Sequence, residues 1–311
     1  MQRLTTLVFF LMAVALCLDP AAVAQTGIDS LRPPIIDMHL HAYRLDDGEP
    51  PEVNPVTGQP SAARTSTELR DASLAELKRY NIVKAVVSGP LETVGQWREA
   101  APDRIMAGAY VDWANPLPDL ARLRAEIQAG RVQVLGELVL QHRGLAPNDP
   151  LLEPYFALAE EMDIPVGIHT GIGPPGTPYD PCCPNFRVTL GNPILGEEVL
   201  IRHPRLRIYL MHGGWPYLQE TKAILSVYPQ VYADLATINW IIPREEFHSY
   251  LLELIHAGFG KRLLFGSDQM EWPEAIGMAV EGIESAAFLT EEEKRDIFYN
   301  NAARFLRLEE K

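Results

Sequence analysis

The chain has 311 residues, 47% of them hydrophobic, with 41 acidic side chains against 27 basic ones and a net charge of −14. So acidic a protein repels phosphate backbones, which argues against nucleic acid as a substrate or partner. The apolar fraction suffices for one large core, and three cysteines are too few to staple a small secreted scaffold.

Read from its start, the chain opens on a targeting signal. Arg3, an apolar stretch from Leu7 to Leu18 and the small-residue triplet Ala22-Val23-Ala24 are the three parts of a secretory signal peptide. The apolar core is shorter than the roughly 20 residues a membrane span needs. Residues 1–24 are therefore expected to be removed on export, to the periplasm or the medium, with no stable membrane insertion afterwards. Residues 25–34 read as a lead-in, and residues 35–311 as one domain.

Eight apolar runs follow: Ile35–His41, Lys84–Gly89, Arg104–Trp113, Val134–Leu140, Pro165–Gly171, Arg207–Gly213, Val231–Ala236 and Leu263–Asp268. They are rich in Val, Ile and Leu without clean polar alternation, as strands covered on both faces are. Between them lie segments with helical spacing and start signals. Thr67 precedes a helix marked by Leu69, Leu74 and Leu77, and Asp149-Pro150 and Asn192-Pro193 each pair a cap with a proline at the first helical position. Pro216 and Pro243 begin two more helices, the second ending at Gly258, and Thr290 with Glu293 spells a capping box. Eight such alternations predict an α/β protein with a single (β/α)8 TIM barrel. A doubly wound open sheet usually carries a glycine-rich loop after its first strand, where this chain has HLHAYR. Long loops are expected after strand one (Ala42–Ser66) and strand five (Gly171–Gly191), and a shorter one at Gln269–Pro273, on the side where barrels place their active sites.

Six metal-binding side chains sit at or near the ends of these runs: His39, His41, Glu137, His169, His212 and Asp268. His39 and His41, two apart in a strand, share a face. On its own an H-x-H pair is more often packing than a metal site. Four histidines and an aspartate at successive strand ends are another matter, because buried polar groups are costly unless partnered and a metal partners them all at once. Asp37 reads as a structural residue or a support of the site, and Asp234 as a support from behind or, in preference, a partner in a structural hydrogen bond. His203, His248 and His256 fall in helices and read as packing or surface residues. Around the expected mouth stand Tyr43, Arg44, His142, Arg143, Trp215, Tyr217, Glu271 and Trp272. Of these, Arg44, Arg143, Trp215 and Tyr217 are the candidate substrate contacts, an arginine being suited to a substrate carboxylate. Cys182-Cys183 admits a vicinal disulfide, two thiols or metal binding.

On these residues the chain resembles the amidohydrolase superfamily, specifically its amidohydrolase-related branch, from IIDMHLH to NNAARFL. The resemblance implies a distorted barrel holding one or two divalent ions, usually zinc. It also implies a metal-activated water as nucleophile and Asp268 as the general base. In the two-ion form, as in TatD-type hydrolases, Glu137 bridges an ion on His39, His41 and Asp268 and another on His169 and His212. In the one-ion form His39, His41, His169 and Asp268 hold the metal, and His212 activates water or orients the substrate. The expected function is hydrolysis of a small-molecule amide, ester or lactone. The alternatives are a metal-dependent, non-oxidative decarboxylase of an aromatic or unsaturated acid, and a non-catalytic metal-containing binding protein. Many relatives form dimers, and that analogy alone admits a homodimer.

Overall fold

The structure, a computed structural model, describes residues 32–45, 51–112 and 117–308. The expected signal peptide, most of the expected lead-in and Trp113 lie outside the described residues. From Pro33 onward the chain forms one unit.

Eight strands are hydrogen-bonded in chain order and every pair is parallel. They are β1 (Ile35–His41), β2 (Ile82–Gly89), β3 (Ile105–Val111), β4 (Val134–Leu138), β5 (Val166–His169), β6 (Ile208–Met211), β7 (Val231–Asp234) and β8 (Leu263–Leu264). Parallel neighbours need a crossover, and helices supply each one. These are α1 (Ser66–Arg79), α2 (Leu91–Ala100), α3 (Leu120–Gln128), α4 (Glu153–Glu161), α5 (Glu197–Arg202), α6 (Leu218–Val227), α7 (Ile238–Ile241) and α8 (Arg244–His256). After β8 come α9 (Ala275–Glu284), α10 (Glu291–Arg295) and α11 (Asn301–Leu306). The circle is completed by backbone bonds from Met38 N–H to Phe265 O (2.9 Å) and from Asp268 N–H to His39 O (2.7 Å). The result is a nearly closed (β/α)8 barrel.

The expected helix signals are found with small shifts. Thr65, not Thr67, caps α1, accepting from Glu68 N–H at 3.2 Å; its buried side chains are Leu69, Ser73 and Leu77, with Leu74 half-buried. Asp149 and Asn192 each accept from the amide two residues on. Thr290 and Glu293 form the reciprocal box. Several strands end sooner than the apolar runs that announce them. The run Leu263–Asp268 yields only two strand residues, because the backbone turns away and Asp268 takes φ 48°. His212 likewise lies just past β6, at φ 59°. Apolar composition marks burial, and burial continues past the last ladder bond.

The main core lies where strands meet helices, with Trp97, Phe156, Phe247 and Phe265 buried among Leu, Ile and Val. A smaller cluster ties Ile36, Met38, Val86, Val134, Tyr209, Met211 and Leu264 to Phe305 of α11. Among the described residues no helix is long and apolar enough to cross a membrane.

Two loops shape the mouth. The one after β1 is stitched to the segment after β8: Asn54 Nδ2 donates to Glu274 Oε1 (3.1 Å), Ser61 Oγ to Glu271 O (2.5 Å) and Trp272 Nε1 to Glu52 O (3.0 Å). The one after β5 is pinched at its base by Gly171 N–H on Gly191 O at 2.8 Å. It carries a disulfide between Cys182 and Cys183, the first of the three states the sequence left open.

Candidate metal centre

β1 delivers two imidazoles to one place. His39 and His41 stand with ring centroids 5.2 Å apart, and the Nε2 atoms of both face the same two carboxylate oxygens. His41 Nε2 lies 2.9 Å from Asp268 Oδ1 and 3.2 Å from Glu137 Oε2; His39 Nε2 lies 3.8 and 3.5 Å from the same atoms. The other Glu137 oxygen faces a different pair. Oε1 is 2.8 Å from His169 Nδ1 and 3.4 Å from His212 Nε2, and those two nitrogens are 3.0 Å apart. One carboxylate thus stands between two sets of donors.

Acceptors outside the cluster decide which nitrogen three of the four rings offer. Asp234 Oδ2 lies 3.1 Å from His39 Nδ1, and a carboxylate can only accept, so Nδ1 carries a hydrogen and Nε2 is the nitrogen that offers its lone pair when the ring is neutral. Ala236 O does the same at His212 Nδ1 (3.2 Å), and Ile172 O at His169 Nε2 (3.1 Å). The second oxygen of Asp234 accepts from His212 N–H (2.8 Å) and Ala236 N–H (3.1 Å), so one buried side chain orders ligand candidates from β1 and β6. Partners of this kind fix tautomer and orientation in metal sites.

The residues fit a divalent ion. His39 Nε2 is buried without a hydrogen bond, which is costly unless something else takes up its lone pair. Two overlapping triads, His39–His41–Asp268 and His39–Glu137–His212, bring three donor atoms each within 4.8 Å of one another. Imidazole nitrogen with carboxylate oxygen is a donor set that suits zinc. Electrostatics agree. Burial alone would raise the carboxyls of Glu137 and Asp268, yet the surrounding histidines hold both well below the usual range. Burial would lower His39, His41 and His212, yet the facing carboxylates raise all three. The cluster is a buried field that calls for positive charge.

Glycines let the backbones approach. A Cβ on Gly266 would come within 2.9 Å of the His39 and Ala236 Cβ atoms. Gly171, at φ 87°, would drive one to 2.2 Å from Trp215 O.

Around the centre, Tyr43 stacks on His41 with centroids 4.6 Å apart, and Tyr110 meets the same ring edge-on at 5.5 Å. Burial and neighbouring negative charge push both phenols up, so they remain hydrogen-bond donors. His142 lies beside His169, with ring centroids 5.7 Å apart, and against Phe186 of the long loop at 5.2 Å. Burial, and then His169, lower it to about 4 and keep it neutral.

The candidate substrate contacts are dispersed. Arg44 is exposed and paired with Glu92 at 3.1 Å. Arg143 donates from Nη1 to Asp112 O (3.0 Å), Trp215 from Nε1 to Glu246 (3.2 Å), and Tyr217 from its hydroxyl to Val188 O (2.9 Å). His203 sits between Glu153 and Glu160, and His248 donates to Gly282 O; both are structural. Reading by residue type passed over Tyr110 and Thr237, whose hydroxyl donates to Asp268 Oδ2, and undervalued Asp234. Each stands at or just past a strand end, which is the signal that could have found them.

The amidohydrolase family model matches residues 36–308. A curated relative, the protein fluG of Emericella nidulans, is 27% identical over 115 residues. That match covers 37% of this chain and only 12% of the relative. A probable 2-pyrone-4,6-dicarboxylic acid hydrolase from Acinetobacter baumannii, solved with citric acid bound, superposes with a TM-score of 0.62 at 16% identity, over 89% of this chain and 100% of that one. The 2,6-dihydroxybenzoate decarboxylase from Rhizobium gives 0.59 at 16% identity, over 88% and 99%.

Proposed function

The chain belongs to the amidohydrolase family, and from that premise we propose that it is a zinc-dependent hydrolase of a small-molecule amide, ester or lactone. The observation that carries the reading is Glu137, whose two oxygens face separate donor sets. His39, His41 and Asp268 would hold one ion, His169 and His212 a second, with Glu137 shared between them. A bound ion supplies Lewis-acid polarisation of a carbonyl and lowers the pKa of water from near 16 towards about 7.

The rest is the work of the chain's own side chains. Asp268 takes the proton from the attacking water and returns it to the leaving group, a transfer that contributes roughly 10²–10⁴-fold. His212, with Nδ1 engaged by Ala236 O, keeps Nε2 directed at the reacting centre. Tyr43 and Tyr110 offer phenol donors beside His41. The disulfide fits an oxidising compartment, which supports an exported protein.

A decarboxylase is the second reading, favoured by the likeness to the Rhizobium enzyme. It needs one ion and a cation for the substrate carboxylate. Arg44 is engaged at the surface with Glu92 and Arg143 with a backbone carbonyl, which leaves that need poorly met. Elemental analysis of the purified, zinc-reconstituted protein, with a screen of lactones, amides, esters and aromatic acids, tests the choice. Two tightly bound ions per chain and release of acid from a lactone or amide support the hydrolase. One ion and carbon dioxide release from an aromatic acid overturn it.

A further inference from the structure

Three side chains of the turn after β7 grip three successive residues just past β8. Asn239 Nδ2 donates to Gly266 O at 2.9 Å, Trp240 Nε1 to Ser267 O at 2.8 Å, and Thr237 Oγ1 to Asp268 Oδ2. The first two hold backbone; only Thr237 reaches the reactive carboxylate. Thr237 does so from φ 63° and ψ −57°, a conformation a β-branched residue rarely adopts. The short helix α7 keeps it there, Trp240 and Ile241 N–H both bonding to Thr237 O at 3.0 and 2.8 Å.

The consequence falls on the two oxygens of Asp268. Oδ2 is engaged by the hydroxyl, with His212 Nδ1 3.9 Å away. The plane of the carboxyl is thereby set, and Oδ1 is presented to His41 Nε2 at 2.9 Å and His39 Nε2 at 3.8 Å. Without the hydroxyl only the histidines hold the carboxyl, and a half-turn about its own bond presents either oxygen to them.

We propose that Thr237 is a positioning residue for Asp268: its hydroxyl assigns Oδ1 to the metal and keeps Oδ2 out of it. The inference rests on the metal-centre reading above. The backbone of Asp268 is already secured by its own N–H on His39 O and by the grip of Asn239 and Trp240 on the two preceding residues, so a purely structural need for the threonine is small.

The experiment compares the purified wild-type protein with Thr237→Val, which keeps shape and branching, and Thr237→Ser, which keeps the hydroxyl. Zinc affinity is read by competition with a chromogenic chelator, and the visible spectrum is taken with cobalt(II) in place of zinc. Thr237→Val is expected to bind zinc about 10–100-fold more weakly, as the loss of a ligand's supporting partner does, and to shift the cobalt spectrum. Thr237→Ser should restore both. Wild-type affinity and an unshifted spectrum in folded Thr237→Val overturn the proposal, as does failure of the serine to rescue. Should the valine variant not fold, Thr237→Ala against Thr237→Ser makes the same comparison. A wild-type protein that binds neither ion overturns the metal-centre reading itself, a result distinct from normal binding by the variant.

Discussion

Glu137 and Asp234 are both buried acids, yet they face opposite demands. Glu137 lies among imidazoles from β1, β5 and the turn after β6 and is shared between them; Asp234 stands behind the cluster and keeps a hydrogen on Nδ1 of one ring. Glu137→Gln keeps the volume and removes the charge, so the bound zinc measured by elemental analysis should fall from two ions per chain to one. An unchanged count would remove Glu137 from the bridging role. Asp234→Asn can turn an amide hydrogen toward His39 Nδ1 and force the ring's hydrogen onto Nε2, the atom that faces Glu137. Zinc affinity should drop about 10–100-fold, and titration against a competing chelator measures it. Asp268→Asn should cost turnover about 10²–10⁴-fold while circular dichroism stays that of the wild type. The six candidate ligands were legible in sequence because histidine and acid recur at the close of apolar runs. Asp234 and Thr237 occupy similar places, but one polar residue at a strand end spells the same whether it supports a site or merely ends a strand. Arg44, conspicuous in sequence beside the first histidines, spends its charge on Glu92 at the surface.

At the scale of elements, capping chemistry was read well and strand ends poorly. The reciprocal pair Thr290–Glu293 opens α10 as its spelling suggests, since the geometry is local to four residues. Thr290→Ala should therefore cost about 1 kcal/mol in chemical denaturation. The end of β8 was misjudged because Phe265 stays buried while the ladder has already stopped. The β5 loop shows what composition could not decide. Cys183 is buried and bonded to Cys182, Phe186 N–H bonds to Cys183 O at 3.0 Å, and the Phe186 ring packs on His142 beside His169. Reducing the disulfide should raise amide exchange across residues 177–191 while leaving the barrel strands protected, because loops open locally at far less free energy than cores. Equal exchange before and after reduction would show that the loop holds without it.

For the molecule as a whole, the alternation of eight apolar runs with helical segments was enough to read the barrel, since parallel neighbours leave few other topologies. Binding then couples to stability. Ligand candidates come from β1, β4, β5 and from just beyond β6 and β8, so an ion bound among them ties most of the wall together. An ion at 100 times its dissociation constant adds about 2.7 kcal/mol to the folded state. Calorimetry with and without a strong chelator should show the melting temperature falling on metal removal and returning when zinc is restored. No change would mean that the cluster holds nothing.

The joint between first and last strands has one more effect. Two backbone bonds close it, and above them the loop after β1 is laced to Glu271, Trp272 and Glu274. A chain so rich in valine and isoleucine strands would, as an open sheet, present a row of unpaired amides for a second copy to extend. Here Met38 and His39 of β1 bond to Phe265 and Asp268 just past β8, so the seam offers a second copy a few engaged groups under a laced loop rather than a template for fibrils.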